Sequence, residues 1–136
     1  MNLRLSPSVL SNPESAGRQL AVGRVGAAAA CLAAPVPAAR LLGLDTATAA
    51  RVSWLTRMMA IRDGALGVGA LLAQRNGGNA APWLLGGAAS DAVDAVVIAG
   101  ALKQGRIKGV LPSAVVPLAA VVAGAAVVTA ARLRRS

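Results

Sequence analysis

Residues 57–67 read RMMAIRDGALG, and residues 86–97 read GGAASDAVDAVV. Each is an apolar, small-residue stretch interrupted by charge: Arg57, Arg62 and Asp63 in the first, Asp91 and Asp94 in the second. Outward from them, the apolar character continues for a length that suits a membrane-crossing helix. Arg24 is placed the same way in an Ala/Gly-rich segment nearer the N-terminus. An ionisable side chain in the bilayer core costs roughly 2.5–3.5 kcal/mol on insertion scales. Six of them persist only if they face one another, a water-filled cavity or a partner. As three cations and three anions the set is formally neutral. The other eleven basic residues and two acids, Glu14 and Asp45, account for the net charge of +9.

Composition agrees with a membrane protein. The chain has 136 residues, enough for one domain, and is 56% hydrophobic and only 14% charged. Residues 109–131 form 23 consecutive positions without a charge, enough to cross a hydrocarbon core of about 30 Å. The absence of His excludes His-ligated haem, zinc and copper and His-based acid–base catalysis. The high pI raises the question of nucleic acid. Basic residues at helix ends fit lipid phosphates and topology instead, and two Trp with no Tyr or Phe leave almost nothing to stack on bases. Cys31 is alone, so no intramolecular disulfide forms, and it reads as a small apolar residue. Ala28-Ala29-Ala30-Cys31 only loosely matches a lipidation signal, and Arg24 interrupts the apolar run that such a signal or a cleaved leader needs.

The chain divides by its punctuation into a polar tail over 1–12 and four helices over about 13–34, 46–75, 81–103 and 111–132. Ser11-Asn12-Pro13-Glu14 supplies a capping side chain, a first-turn proline and an acid at the positive end of the helix dipole. Pro35-Val36-Pro37 stops the first helix. Residues 38–45 form a connector suited to lying in the interface, and Asp45 and Thr46 offer capping oxygens to the second helix. Thirty residues at 1.5 Å each make that helix about 45 Å long, so it tilts or begins among the headgroups. Asn76-Gly77-Gly78-Asn79 is a tight turn, and Pro117 lies just inside the fourth helix. Trp54 and Trp83 fall near the starts of the second and third helices, on opposite faces, where interfacial anchors sit; ordinary packing explains either equally well. Four spans put both termini on one side with Arg4, Arg18, Arg75, Arg132, Arg134 and Arg135, against Arg40, Arg51, Lys103, Arg106 and Lys108 on the other. The terminal cluster tips the termini to the cytoplasm.

In a hairpin closed by a short turn, residues of the second and third helices whose numbers sum to about 156 share a depth. Arg62 is then level with Asp94, and Asp91 lies one turn away on the same face. Arg62 is expected to pair with Asp94, Asp91 or both, since guanidinium suits a buried carboxylate. Asp63 points about 100° around the helix from Arg62, leaving Arg24 and Arg57 as its candidate partners. Ala60, Gly64 and Gly67 in the second helix and Gly86, Gly87 and Ala88 in the third allow close helix approach. The fourth helix has no charge and is the natural lipid- or partner-facing element.

Asp63-Gly64 with Asp91-x-x-Asp94 partly resembles the Asp pairs of membrane transferases that hold a divalent cation. Asp63-Gly64 lacks the following Ala-Arg, and the next Asp is 28 positions on, so no catalytic residue, metal or cofactor is assigned. Arg62-Asp63-Gly64-Ala65-Leu66-Gly67, Ser90-Asp91-Ala92-Val93-Asp94 and Leu41-Leu42-Gly43-Leu44 together resemble a group of small four-helix membrane proteins common in actinobacteria, over about residues 18–130. The resemblance implies a four-span integral membrane protein and supplies no activity. The expectation is an all-α, four-transmembrane-helix bundle in the bacterial inner membrane, with the lipid bilayer, and a larger complex or a second copy, as partners. Its function would be that of a structural or accessory subunit held by an Arg/Asp network. The alternative is a small transporter or channel using the Asp residues as a proton or cation relay.

Overall fold

The computed structural model describes residues 12–135, and all regular structure among them is helical. The expected polar tail lies, apart from Asn12, outside the described residues. The helices are α1 (Pro13–Ala33), α2 (Pro35–Leu41), α3 (Thr46–Arg51), α4 (Ser53–Arg75), α5 (Ala81–Lys103) and α6 (Val110–Leu133).

Local chemistry sets the ends. Asn12 Oδ1 accepts the Glu14 amide at 3.0 Å and Pro13 opens α1. The Pro35-Val36-Pro37 run that stops α1 also starts α2, because a proline's fixed φ suits a first helical turn. The chain bends by 112° between α1 and α2, so part of the expected connector is a helix lying across the end of α1. Asp45 caps α3 by accepting the Thr48 amide at 3.0 Å and its hydroxyl at 2.6 Å. The Thr48 hydroxyl, and then the amide, hold the Asp45 carboxyl below its ordinary pKa. The single helix expected over 46–75 is therefore two. A turn at Val52 (φ −96°, ψ 7°) separates α3 from α4, and the cap on Asp45 makes a helix as short as α3 sustainable.

The four long helices alternate in direction. A Cβ at Gly17 of α1 would meet Gln74 of α4 at 2.9 Å, Leu84 of α5 at 3.4 Å and Thr129 of α6 at 3.6 Å, so all four converge at that end. At the other end Gly43 (φ 81°) lies against the Lys108 backbone, and the α2–α3 turn docks on the α5–α6 loop. The closest packing is α1 on α4 and α5 on α6, with α4 and α5 meeting more sparsely. Gly67 explains the first pair: a Cβ there would fall 2.7 Å from Val25 and 2.9 Å from the Ala21 carbonyl. The α4–α5 hairpin is held near its turn by the Trp83 ring packed against Gly69, where any Cβ would collide with it.

The distribution of side-chain sizes is inverted relative to a protein packed for water. Among the described residues, the buried apolar side chains are eleven alanines, Leu84 and two prolines, Pro35 and Pro112, while seventeen large apolar side chains are exposed, among them Ile61 (60%), Val96 (73%) and Val121 (68%). Half-exposing such a side chain to water forfeits roughly 1 kcal/mol. Seventeen together would exceed the net stability of a typical domain, about 5–15 kcal/mol. In lipid the loss disappears, and small residues inside let backbones approach. Two helices, α5 and α6, are long and apolar enough to cross a membrane, and α1 with α2 makes a third if the bent pair counts as one span. This fits a membrane protein.

Gly67→Ala should force α1 off α4 and lower stability by about 1–3 kcal/mol. Gly26→Ala, with nothing within 4 Å, should be neutral or gain up to about 1 kcal/mol of helix propensity. Thermal midpoints in detergent compare the two.

Candidate functional site

Five of the six singled-out charges join in one chain across three helices. Arg24 of α1 donates to Asp91 of α5 at 2.5 Å and to Asp63 of α4 at 3.3 Å. Arg62 of α4 donates through Nη2 to Asp94 of α5 at 2.6 Å and through Nε to its neighbour Asp63 at 3.2 Å. The order is Asp91–Arg24–Asp63–Arg62–Asp94, alternating in sign throughout. Asp63 Oδ1 accepts from both arginines.

Each contact has a local cause. The turn between α4 and α5 sets their register, which puts Arg62 opposite Asp94. Arg62 also reaches Asp63, although the two side chains leave the helix about 100° apart. The long guanidinium arm aims its terminal nitrogens at Asp94 while Nε stays beside α4. Asp91 is not shared with Arg62; Arg24 takes it. The Arg24 guanidinium reaches that place because residue 87 is glycine: a Cβ there would lie 3.0–3.1 Å from it. Gly64 and Gly67 bring α1 close enough for the same arginine to touch α4.

Arg57 is outside the chain. It is exposed at the start of α4 and, among the described residues, makes no ion pair. It stands one turn in from Trp54, where a long cationic side chain can reach toward headgroups. The neutrality expected of six charges therefore does not hold for the linked group: two arginines against three aspartates leave it at −1. Trp54 is 61% exposed at one end of α4. Trp83 is 41% exposed at the opposite end of the bundle, with one face on Gly69. By the hairpin register the two tryptophans are about 28 Å apart along the helix axis, close to a hydrocarbon thickness.

A groove of about 880 Å³ opens beside the chain, between α1, α4, α5 and α6. Arg24, Asp63 and Asp91 line it; Arg62 and Asp94 do not. Its walls are mostly apolar, from Leu20, Leu66, Val115, Leu118 and Val122. No signal in the sequence reveals it, because it lies between the first and last long helices, whose register no short turn fixes. Among the described residues no group of three His, Cys, Asp or Glu side chains is placed to hold a metal ion. Cys31 is a free, half-buried thiol near the end of α1. No protein-family model, no curated protein and no solved structure matches the chain.

Arg24→Ala would leave Asp63 and Asp91 without their shared partner across α1. These side chains are only partly buried and Asp63 keeps Arg62, so a loss of about 1–3 kcal/mol is expected, read as a lower thermal midpoint. Arg24→Lys should recover less than half of it, because one ammonium cannot reproduce a guanidinium fork that spans two carboxylates.

Proposed function

We propose that the chain is a four-span integral protein of the bacterial inner membrane, with cytoplasmic termini. It acts as a structural or accessory subunit, within a larger complex or with copies of itself, and its Arg/Asp chain fixes the helix arrangement. The observation that carries this reading is Arg24 bridging Asp63 and Asp91, which ties α1, α4 and α5 at one depth. Each aspartate of the chain has an arginine partner, as a packing lock requires. The helix α4 is the fourth span. Plain hydropathy misses it because Arg57, Arg62, Asp63 and Arg75 count against it. Arg62 and Asp63 are partnered inward, and the side chains α4 exposes include Leu55, Met58, Ile61, Val68 and Leu72. The likeness to small four-helix membrane proteins of actinobacteria supports the same topology.

One observation favours the relay reading as the second choice. The groove reaches Asp63 and Asp91, so those carboxylates are not sealed from solutes. A lock and a relay respond differently to exchanged charge. Arg62→Asp and Asp94→Arg should each abolish folded protein, and the double exchange should restore it if the pair is a lock. A double exchange that leaves the protein unfolded would contradict the lock.

Topology is tested by single cysteines at Gly77 and at Arg106 in a Cys31→Ala background. Impermeant maleimide added to intact cells should label position 106 alone, with position 77 reached only after the membrane is opened. Equal labelling of both would remove α5 as a span.

A further inference from the structure

The ion chain and the groove together define a binding site. We propose that the groove holds a lipophilic monocation, an organic cation with an apolar body, its charge against Asp63 and Asp91 and its body along α1 and α6. The proposal rests on the membrane-embedded reading and goes beyond the structural role given above.

Charge gives the first reason. The linked group is one positive charge short, and inside a membrane an uncompensated charge is costly. The shortfall is that of a single monocation. An anion would be repelled by the net charge. A small hydrated metal ion would leave the apolar walls uncovered, and among the described residues no three ligating side chains are placed to replace its water.

Shape gives the second reason. A volume of about 880 Å³ lies within the roughly 300–1,000 Å³ of small-molecule sites, which combine apolar walls with a few convergent polar groups. The space is genuinely open: Gly23 and Gly124 both line it, and neither would have any atom within 4 Å of an added Cβ. Trp83 borders the groove about two turns from Asp91, where its ring adds apolar wall for the body of the ligand.

The other charge on the lining is Arg132, in the last turn of α6. By the α5–α6 hairpin register, Asp91 is level with Val122. Ten residues of helix therefore put Arg132 about 15 Å farther along the axis, toward the headgroups. It does not cancel the charge at the floor.

The test uses the full chain in nanodiscs of uncharged phosphatidylcholine. Two probes of the same shape and opposite sign, tetraphenylphosphonium and tetraphenylborate, are measured by equilibrium dialysis after subtraction of empty discs. The expected result is saturable binding of about one tetraphenylphosphonium per chain, at least about tenfold tighter than tetraphenylborate. Gly124→Leu, which fills open space and touches no ion pair, should weaken it by about tenfold or more. Asp94→Asn lies outside the groove but brings the linked group to zero, and it should weaken cation binding while leaving the groove in place. Equal binding of both ions, no binding of the cation, or cation binding unchanged by Gly124→Leu would each overturn the proposal. Membrane insertion is scored first by flotation. A chain that fails to float with lipid refutes the underlying reading, and a chain that floats but does not bind refutes the site alone.

Discussion

One guanidinium, that of Arg24, joins α1 to the α4–α5 hairpin, to which the chain itself connects it only loosely. Between α1 and α4 lie two short helices and a 112° bend, and between α4 and α5 the packing is sparse. Arg24 reaches Asp63 on one side and Asp91 on the other, and so sets the depth at which all three meet. The glycines follow from it. Gly87 leaves room for the guanidinium, while Gly67 lets α1 lie close enough to deliver it. A larger side chain at either position would separate the charges from their partners.

That arrangement also explains why the core is made of alanine. An ion chain between helices needs short distances between backbones, and alanine and glycine permit them. The large apolar side chains are then displaced outward, which suits lipid and would be a liability in water. The exposed Leu, Val, Ile and Met and the partly buried, paired Arg and Asp are two sides of one solution. The same arrangement lowers the hydropathy of α4, since Arg62 and Asp63 are counted although they are paired with Asp94 and Arg24. Buried ion pairs fix arrangement more than they add stability, and the shared oxygen of Asp63 makes the arrangement of one pair depend on the other.

Parts of this were legible in the sequence for identifiable reasons. The α4–α5 turn is short and glycine-rich, so simple arithmetic sets Arg62 opposite Asp94, and they lie 2.6 Å apart. Arg24 was one of two candidates for Asp63, and nothing in the sequence could choose it over Arg57, because residues 35–51 leave the register of α1 open. The second contact of Arg24, to Asp91, was hidden for the same reason. So was the residual charge of −1, which appears only once Arg57 is seen to face outward. The helix α2 is not legible because Pro35-Val36-Pro37 reads as a stop, although a proline that ends one helix can open the next. The break at Val52 has no strong signal in the sequence. The groove depends on how α1 and α6 sit relative to each other, and their separation in the chain puts that beyond any local pattern.

The central claim is that Arg24 bridges two aspartates within the bilayer. Its most direct measurement is a solid-state NMR dipolar contact between 15N-labelled arginine guanidinium and 13Cγ-labelled aspartate in lipid bilayers, assigned by comparison with Arg62→Gln protein. The account predicts that contacts at about 4 Å or less survive that substitution and are attenuated little by paramagnetic ions in the water phase. Loss of every arginine–aspartate contact on removing Arg62, or strong attenuation by the aqueous ions, would contradict it.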